Sequence, residues 1–148
     1  MLTNPGNLNQ LTHDIIGCGM RVHRAFGSGL LESTYEVCFE IELKLRGHTV
    51  KRKVPVPIVY QGTRIERAYW IDMLVDDLVI VELKCVENLL FVHKAQLLTY
   101  LRLANKPVGL LINFNEQVLK DGIKRVINPD CLRGSEQITP PDEITEPD

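Results

Sequence analysis

An acid that is followed, one hairpin later, by a Glu-x-Lys triplet is the feature that most constrains this chain. Asp72 ends a short apolar run, and a second apolar run carries Glu82 and Lys84. Successive strand side chains point to opposite faces, so Glu82 and Lys84 lie on the same side of a strand. If residues 75–78 form the turn of a hairpin, Asp72 folds back beside them. The pattern therefore predicts two carboxylates and an ammonium group at one spot.

This combination of groups suits metal-assisted hydrolysis of a phosphodiester. Carboxylate oxygens are the ligands that Mg²⁺ or Mn²⁺ prefers, and a lysine beside the metal can hold an attacking water. The alternative is that a strand ending in Glu-Leu-Lys simply leaves the core for water. Against it, the run 79–81 is typical of a buried strand, where charges are rare unless they are paired or bind a metal.

Glu32 and Tyr35 lie on a second candidate element, a helix predicted at 30–45. A carboxylate in the first turn of a helix can simply cap its N-terminus and complement the helix dipole. Gly29, Glu32 and Tyr35, however, follow one another at i, i+3 and i+6. They lie opposite the apolar stripe expected to face the core, and this polar face could point at the hairpin.

Gln96 and Tyr100 are one turn apart on a helix predicted at 93–104. Alone, such a pair is usually a partly buried polar edge. A crossover helix lying on a sheet would instead aim this row at the carboxyl end of the Glu82 strand, where ligands bind in open α/β sheets.

Hydrophobic periodicity predicts a mixture of helices and strands. Helices are predicted at 11–26, 30–45, 93–104 and, as a short last element, 118–126; strands are predicted at 50–60, 65–75, 78–83 and 108–114. The last of these strands should run parallel to the Glu82 strand. The first helix should bury Leu11, Ile15, Cys18, Val22 and either Phe26 or Ala25. The second should bury Leu30, Thr34, Val37, Cys38, Ile41 and Leu45.

Charge divides the chain into a body and a tail. The net charge is −2, but residues 1–133 carry 17 Lys and Arg against 14 Asp and Glu. Residues 134–148 are acidic and contain proline, so we expect a single domain at 1–133 and a disordered tail. The tail is interpreted as an inert solubilising segment or, alternatively, as a cover for basic groups. A mildly basic body permits contacts with phosphates.

The chain shows neither a signal peptide nor an apolar run long enough to cross a membrane, so a cytoplasmic protein is expected. The four cysteines are widely spaced and are interpreted as reduced residues, mostly in the core. A zinc site built from cysteines and histidines is disfavoured, because no C-x2-C pair is present.

Four segments, in order, resemble the GxxExxY protein family of the PD-(D/E)XK nuclease superfamily. They are Gly27-Ser-Gly-Leu-Leu-Glu-Ser-Thr-Tyr35, the Asp72…Glu82-Leu-Lys84 core, His93-Lys-Ala-Gln-Leu-Leu-Thr-Tyr-Leu101 and Gly109-Leu-Leu-Ile-Asn-Phe114. The resemblance covers roughly residues 15–126. One departure is Ile71, which stands where the superfamily pattern has a proline before the acid.

The resemblance implies an α/β fold of restriction-endonuclease-like type, with a mixed central sheet flanked by helices. It further implies a nuclease that depends on Mg²⁺ or Mn²⁺; DNA is the expected substrate, and RNA stays open as the alternative. Metal ligands would be Asp72, Glu82, the Leu83 backbone carbonyl and Glu32. Lys84 would be the catalytic lysine, Gln96 would assist it, and Tyr100 and Tyr35 would bind substrate.

Two alternatives from other classes stay open at this point. One is a catalytically inactive module that keeps the nuclease fold and serves in nucleic-acid binding or assembly. The other is a hydrolase of a different phosphoester. A homodimer is also expected, because one small domain offers little track for a duplex.

Overall fold

Five strands form one mixed sheet, and their order in the sheet is their order in the sequence. The structure, a computed structural model, describes residues 5–131. The strands are β1 (Val50–Tyr60), β2 (Thr63–Val75), β3 (Val79–Lys84), β4 (Val108–Asn113) and β5 (Ile123–Ile127). β3 and β4 are parallel, as predicted, and the other neighbouring strands are antiparallel.

Helices cover the two faces of this sheet. They are α1 (Pro5–Phe26), α2 (Glu32–Leu45) and α3 (Phe91–Ala104). Val79 and Val81 pack into the core shared with α1 and α2, whereas Ile80 packs into the core shared with α3. Both faces of β3 are therefore buried, which explains its continuous apolar run. The expected class, a mixed sheet flanked by helices, is confirmed.

α3 is the connection between the parallel strands β3 and β4, and it lies very close to the sheet. A Cβ atom at Gly109 would lie 2.8 Å from Leu97 Cδ1. The absence of a side chain at Gly109 therefore lets α3 approach β4, which fixes the position of the helix over the sheet.

The hairpin between β2 and β3 has the predicted turn. Asp76 and Asp77 both adopt left-handed backbone angles, with φ of 50° and 58°. The Asp76 carboxylate accepts hydrogen bonds from the backbone N–H of Thr49 at 2.8 Å and from His48 Nδ1 at 2.7 Å. Local geometry and these contacts hold the turn that returns β3 alongside β2. β1, with its two prolines, lies at the edge of the sheet as expected.

The predicted core face of α2 is wrong in part, since Leu30 and Cys38 pack against the core but the rest of the face does not. Val37, Ile41 and Leu45 are exposed, whereas Phe39 and Leu43 are fully buried. The helix carries two apolar rows, and the aromatic row is selected because Phe39 packs edge-on against the ring of Phe114 at 6.0 Å.

Three smaller expectations also need correction. The segment predicted as a helix at 118–126 is a 3₁₀ turn (Leu119–Gly122) followed by β5. Ala25 and Phe26 are both exposed at the end of α1. The four cysteines are free thiols, as expected, but only Cys18 is fully in the core; Cys38 and Cys85 are partly buried against it.

No helix within residues 5–131 is both long enough and apolar enough to cross a bilayer. The acidic tail, residues 134–148, lies outside the described residues.

Candidate active site

Asp72 and Glu82 lie where β2 and β3 separate. The ladder between these strands ends at the pair Met73 and Val81, and Asp72 and Glu82 are the next residue on each strand. Glu82 Oε1 accepts a hydrogen bond from the Asp72 backbone N–H at 3.2 Å. Asp72 Oδ2 accepts one from the Leu83 backbone N–H, also at 3.2 Å. The hairpin therefore brings the two carboxylates together, as the sequence predicted.

The environment of this pair disfavours two full negative charges. Glu82 is only 6% exposed. Burial, and secondly the charge of Asp72, raise the pKa of Glu82 to about 8, although Lys84 opposes the shift. A cation bound between the two carboxylates would relieve both effects.

Lys84 ends β3 and is anchored through its backbone. It pairs in register with Asn113 of β4, and its carbonyl accepts a hydrogen bond from the Phe114 N–H at 2.9 Å. Within residues 5–131 its ammonium group forms no direct ion pair, yet its charge lowers the pKa values of Glu32 and Glu82. Lys84 is thus close to both acids without being tied to either one.

Glu32 is the first residue of α2 and reaches the site from a different element. No side-chain hydrogen bond caps this helix, so the capping role has no support from the geometry. Partial burial raises the pKa of Glu32; Lys84 lowers it, and Asp72 and Glu36 raise it further. The structure therefore brings Glu32 into the electrostatic neighbourhood of Asp72 and Lys84.

Tyr35 was expected on the polar face of α2, opposite the apolar stripe, but it is fully buried in the core. Its ring stacks on Phe114 with the centroids 4.5 Å apart. Its hydroxyl donates a hydrogen bond to the Gly27 carbonyl and accepts one from the Leu30 N–H. Tyr35 therefore holds the loop that precedes α2 and so positions Glu32. A buried Tyr35 whose hydroxyl bonds the backbone corrects the prediction that Tyr35 binds substrate.

Gly27 at the start of that loop has a φ of +68°, which a residue with a side chain rarely adopts. The loop that begins at Gly27 therefore leads directly into Glu32 at the start of α2.

Tyr100 lies on the α3 side of the carboxylate pair. It is largely buried, and its ring is 5.3 Å from that of Tyr69. Burial raises the pKa of its hydroxyl, and the charges of Glu82 and Asp72 raise it further. Gln96 is exposed one turn earlier on the same helix. Tyr100 thus lies near the acids, and the role of Gln96 at the site stays a prediction.

Lys53 is a site residue that sequence reasoning missed. It has a left-handed backbone conformation with φ 55°, and its Nζ lies 3.7 Å from Asp72 Oδ1 and 3.3 Å from Glu36 Oε2. Glu36 is almost fully buried and is also paired with Arg52 at 3.0 Å. Two features of the sequence could have indicated Lys53 as a site residue: the basic triplet 51–53, and the placement of Glu36 one turn after Glu32.

Asn113 is the second missed residue. It is fully buried at the end of β4, beside Lys84. Its side chain accepts a hydrogen bond from the Val86 N–H at 3.1 Å and donates one to the Val86 carbonyl at 2.8 Å. Asn113 therefore holds the loop that leaves the site after Lys84.

The carboxylate pair offers the oxygen donors that a hard divalent cation takes. Within residues 5–131, no three His, Cys, Asp or Glu side chains are close enough together to enclose a metal ion. Asp72 and Glu82 are adjacent carboxylates, and burial, followed by the charge of Asp72, raises the pKa of Glu82. Oxygen donors of this type suit Mg²⁺ or Mn²⁺ rather than a soft metal.

Asp72, Glu82 and Lys84 lie at the point where β2 and β3 separate, which we call the carboxylate fork. A mixed sheet with an acid pair and a lysine at such a point is typical of a nuclease-like α/β domain. The family model of the PD-(D/E)XK nuclease superfamily matches residues 9–126, and the chain belongs to this superfamily. Neither a curated protein nor a solved structure matches the chain. The resemblance to the narrower GxxExxY family stays a prediction.

Proposed function

We propose that this protein is a metal-dependent nuclease that hydrolyses phosphodiester bonds of DNA. The observation that carries the proposal is the carboxylate fork. There Asp72 and Glu82 form hydrogen bonds between β2 and β3, and Lys84 follows Glu82 on β3. Membership of the nuclease superfamily supports the reaction class.

In this proposal Asp72, Glu82 and the Leu83 carbonyl would hold the cation, and Glu32 would bind it directly or through water. The bound cation would supply Lewis-acid activation of water and neutralise charge. Lys84 Nζ would donate hydrogen bonds to the attacking water or to a phosphate oxygen, and so offset the negative charge that develops in the transition state. Gln96 and Tyr100 would hold the scissile phosphate against the pair.

A cleavage assay on purified protein tests the proposal. Labelled linear, circular, single-stranded and double-stranded DNA would each be incubated with Mg²⁺ or Mn²⁺, with an RNA substrate in parallel. Cleavage that requires metal and is lost in Lys84→Ala supports the proposal. Lys106→Ala is the matched control, because Lys106 precedes β4 and so lies at the opposite end of the parallel strands from Lys84.

Binding of nucleic acid without cleavage of any substrate would identify the inactive binding module instead. The expected homodimer and cytoplasmic location also stay predictions, and sedimentation of the purified chain decides the first.

A further inference from the structure

A polar pocket lies on α1, apart from the carboxylate fork. Its volume is about 80 Å³, and residues from α1 and from the turn after α2 line it. The lining residues are His13, Asp14, Gly17, Met20, Arg21, Arg24 and Arg46. Three guanidinium groups therefore share one concavity; we call it the arginine pocket.

These guanidinium groups have no anionic partner in the part of the chain that the structure describes, residues 5–131. Arg52, Arg64 and Arg102, by contrast, each form an ion pair. The one acid of the pocket, Asp14, accepts a hydrogen bond from Gln10 Nε2 at 2.9 Å and lies 4.0 Å from His48 Nε2. The arginine pocket consequently concentrates positive charge in a protein whose net charge is −2.

Two of these arginines, Arg21 and Arg24, belong to a row of pocket residues on α1. His13, Gly17, Arg21 and Arg24 succeed one another at three- and four-residue intervals, so they lie along one side of α1. At 1.5 Å per residue the row is roughly 16 Å long. Arg24 lies just before Gly27, where the loop to Glu32 begins, so the row runs toward the carboxylate site.

The distance from Arg46 to Glu32, the acid that joins the carboxylate site, can be read along α2. Glu32 begins α2, and Arg46 follows its last residue. A helix of 14 residues is roughly 21 Å long, which corresponds to about six nucleotide steps of a duplex. Guanidinium groups bind phosphate through a planar set of N–H donors, which a lysine does not offer.

We propose that the arginine pocket binds phosphate groups of the nucleic-acid backbone, with Arg46 about six nucleotide steps from the bond held at the carboxylate fork. This inference rests on the proposed function for its ligand, but it requires binding only. A duplex would then be anchored at two places, with Arg21, Arg24 and Arg46 contributing affinity and Asp72, Glu82 and Lys84 the reaction.

The test is fluorescence anisotropy with a labelled duplex of about 20 base pairs, long enough to cover both sites. EDTA is present throughout, so that no cleavage accompanies binding. Arg21→Ala/Arg46→Ala should bind at least about tenfold more weakly at low salt, and the slope of log K against log salt should become less steep by about two. Arg21→Lys/Arg46→Lys should recover part of the affinity, because the charges remain but the planar sets of N–H donors are lost.

Arg102→Ala is the matched control, since it removes an exposed arginine from α3 on the other face of the sheet. It should leave both affinity and slope close to wild type. Melting temperatures confirm that each variant is folded.

Equal affinity and slope for wild type and the double alanine variant overturn the inference, and so does a wild-type chain that binds no duplex. Loss of binding in the double variant supports the arginine pocket even if wild type cleaves nothing in Mg²⁺ or Mn²⁺. That combination would refute the nuclease proposal alone.

Discussion

The Asp72 carboxylate accepts a hydrogen bond from the Leu83 N–H of β3, and the Glu82 carboxylate accepts one from the Asp72 N–H of β2. The two side-chain hydrogen bonds take over where the strand ladder stops after Met73 and Val81. The carboxylates are thereby held before any cation arrives, which is the preorganisation that a metal site needs. Their proximity costs stability, because Glu82 is buried beside a second acid.

Removing one charge from this pair should stabilise the metal-free protein. Burial and the charge of Asp72 raise the pKa of Glu82, so ionisation of Glu82 opposes folding at neutral pH. We expect Asp72→Asn and Glu82→Gln to raise the free energy of unfolding by roughly 1–2 kcal/mol at pH 7 in EDTA, and to lose Mn²⁺ binding. Urea denaturation and calorimetric titration measure the two effects. Lower stability in both variants would make the residues structural ion-pair members.

Lys84→Ala should abolish cleavage and leave the fold and the metal affinity nearly intact. Lys84 forms no ion pair within residues 5–131, so little stability depends on its charge, while removal of one group that offsets transition-state charge costs about 10²–10³ in rate. Single-turnover cleavage beside the Lys106→Ala control measures this. Turnover of Lys84→Ala at the wild-type rate would contradict the assignment.

The sequence was sufficient for the parts of this molecule that depend on local pattern. Alternation placed Glu82 and Lys84 on a buried strand, and the acidic turn returned that strand to Asp72. Parallel pairing of β3 with β4 followed from the helix between them.

Tertiary contacts decided what the sequence left undetermined. α2 has two apolar rows, and only the position of Phe114 selects the row of Tyr35 and Phe39. Lys53 itself has a left-handed backbone conformation, with φ 55°, and its side chain reaches Asp72. No pattern in the sequence of the strand indicated this conformation. The segment after Val118 became β5 because the open edge of β4 pairs with it.

Glu32 distinguishes a capping role from a role at the metal. The structure shows no cap hydrogen bond from this side chain, so Glu32→Gln should change the free energy of unfolding by less than about 0.5 kcal/mol. The loss of charge beside Asp72 and Lys84 should weaken Mn²⁺ binding and turnover. Calorimetric titration and the cleavage assay measure these. A stability loss with unchanged metal affinity would restore the capping interpretation.

Lys53 should compete with a cation for Asp72. Its ammonium lies 3.7 Å from Asp72 Oδ1, where a positive charge disfavours the approach of a divalent ion. We expect Lys53→Met to bind Mn²⁺ several-fold more tightly than wild type. Lys51→Met is the control, because Lys51 is exposed on the same strand and pairs with no acid within residues 5–131. Equal or weaker binding in Lys53→Met would show that Lys53 does not act as a competing cation.

Asp76 should make the hairpin sensitive to acid. Burial alone would raise its pKa, but hydrogen bonds from His48 and Thr49 outweigh burial and lower the pKa below its usual value. A depressed carboxyl pKa contributes stability above the unfolded pKa of about 3.9 and loses it as the pH falls through the folded value. The free energy of unfolding of wild type should therefore exceed that of Asp76→Asn by about 0.5–1.5 kcal/mol at pH 6. The difference between the two should be smaller at pH 3. Urea denaturation at both pH values measures this, and Asp77→Asn is the control, because Asp77 shares the left-handed conformation but is exposed. A difference between wild type and Asp76→Asn that is the same at both pH values would show that the carboxylate charge does not hold the turn.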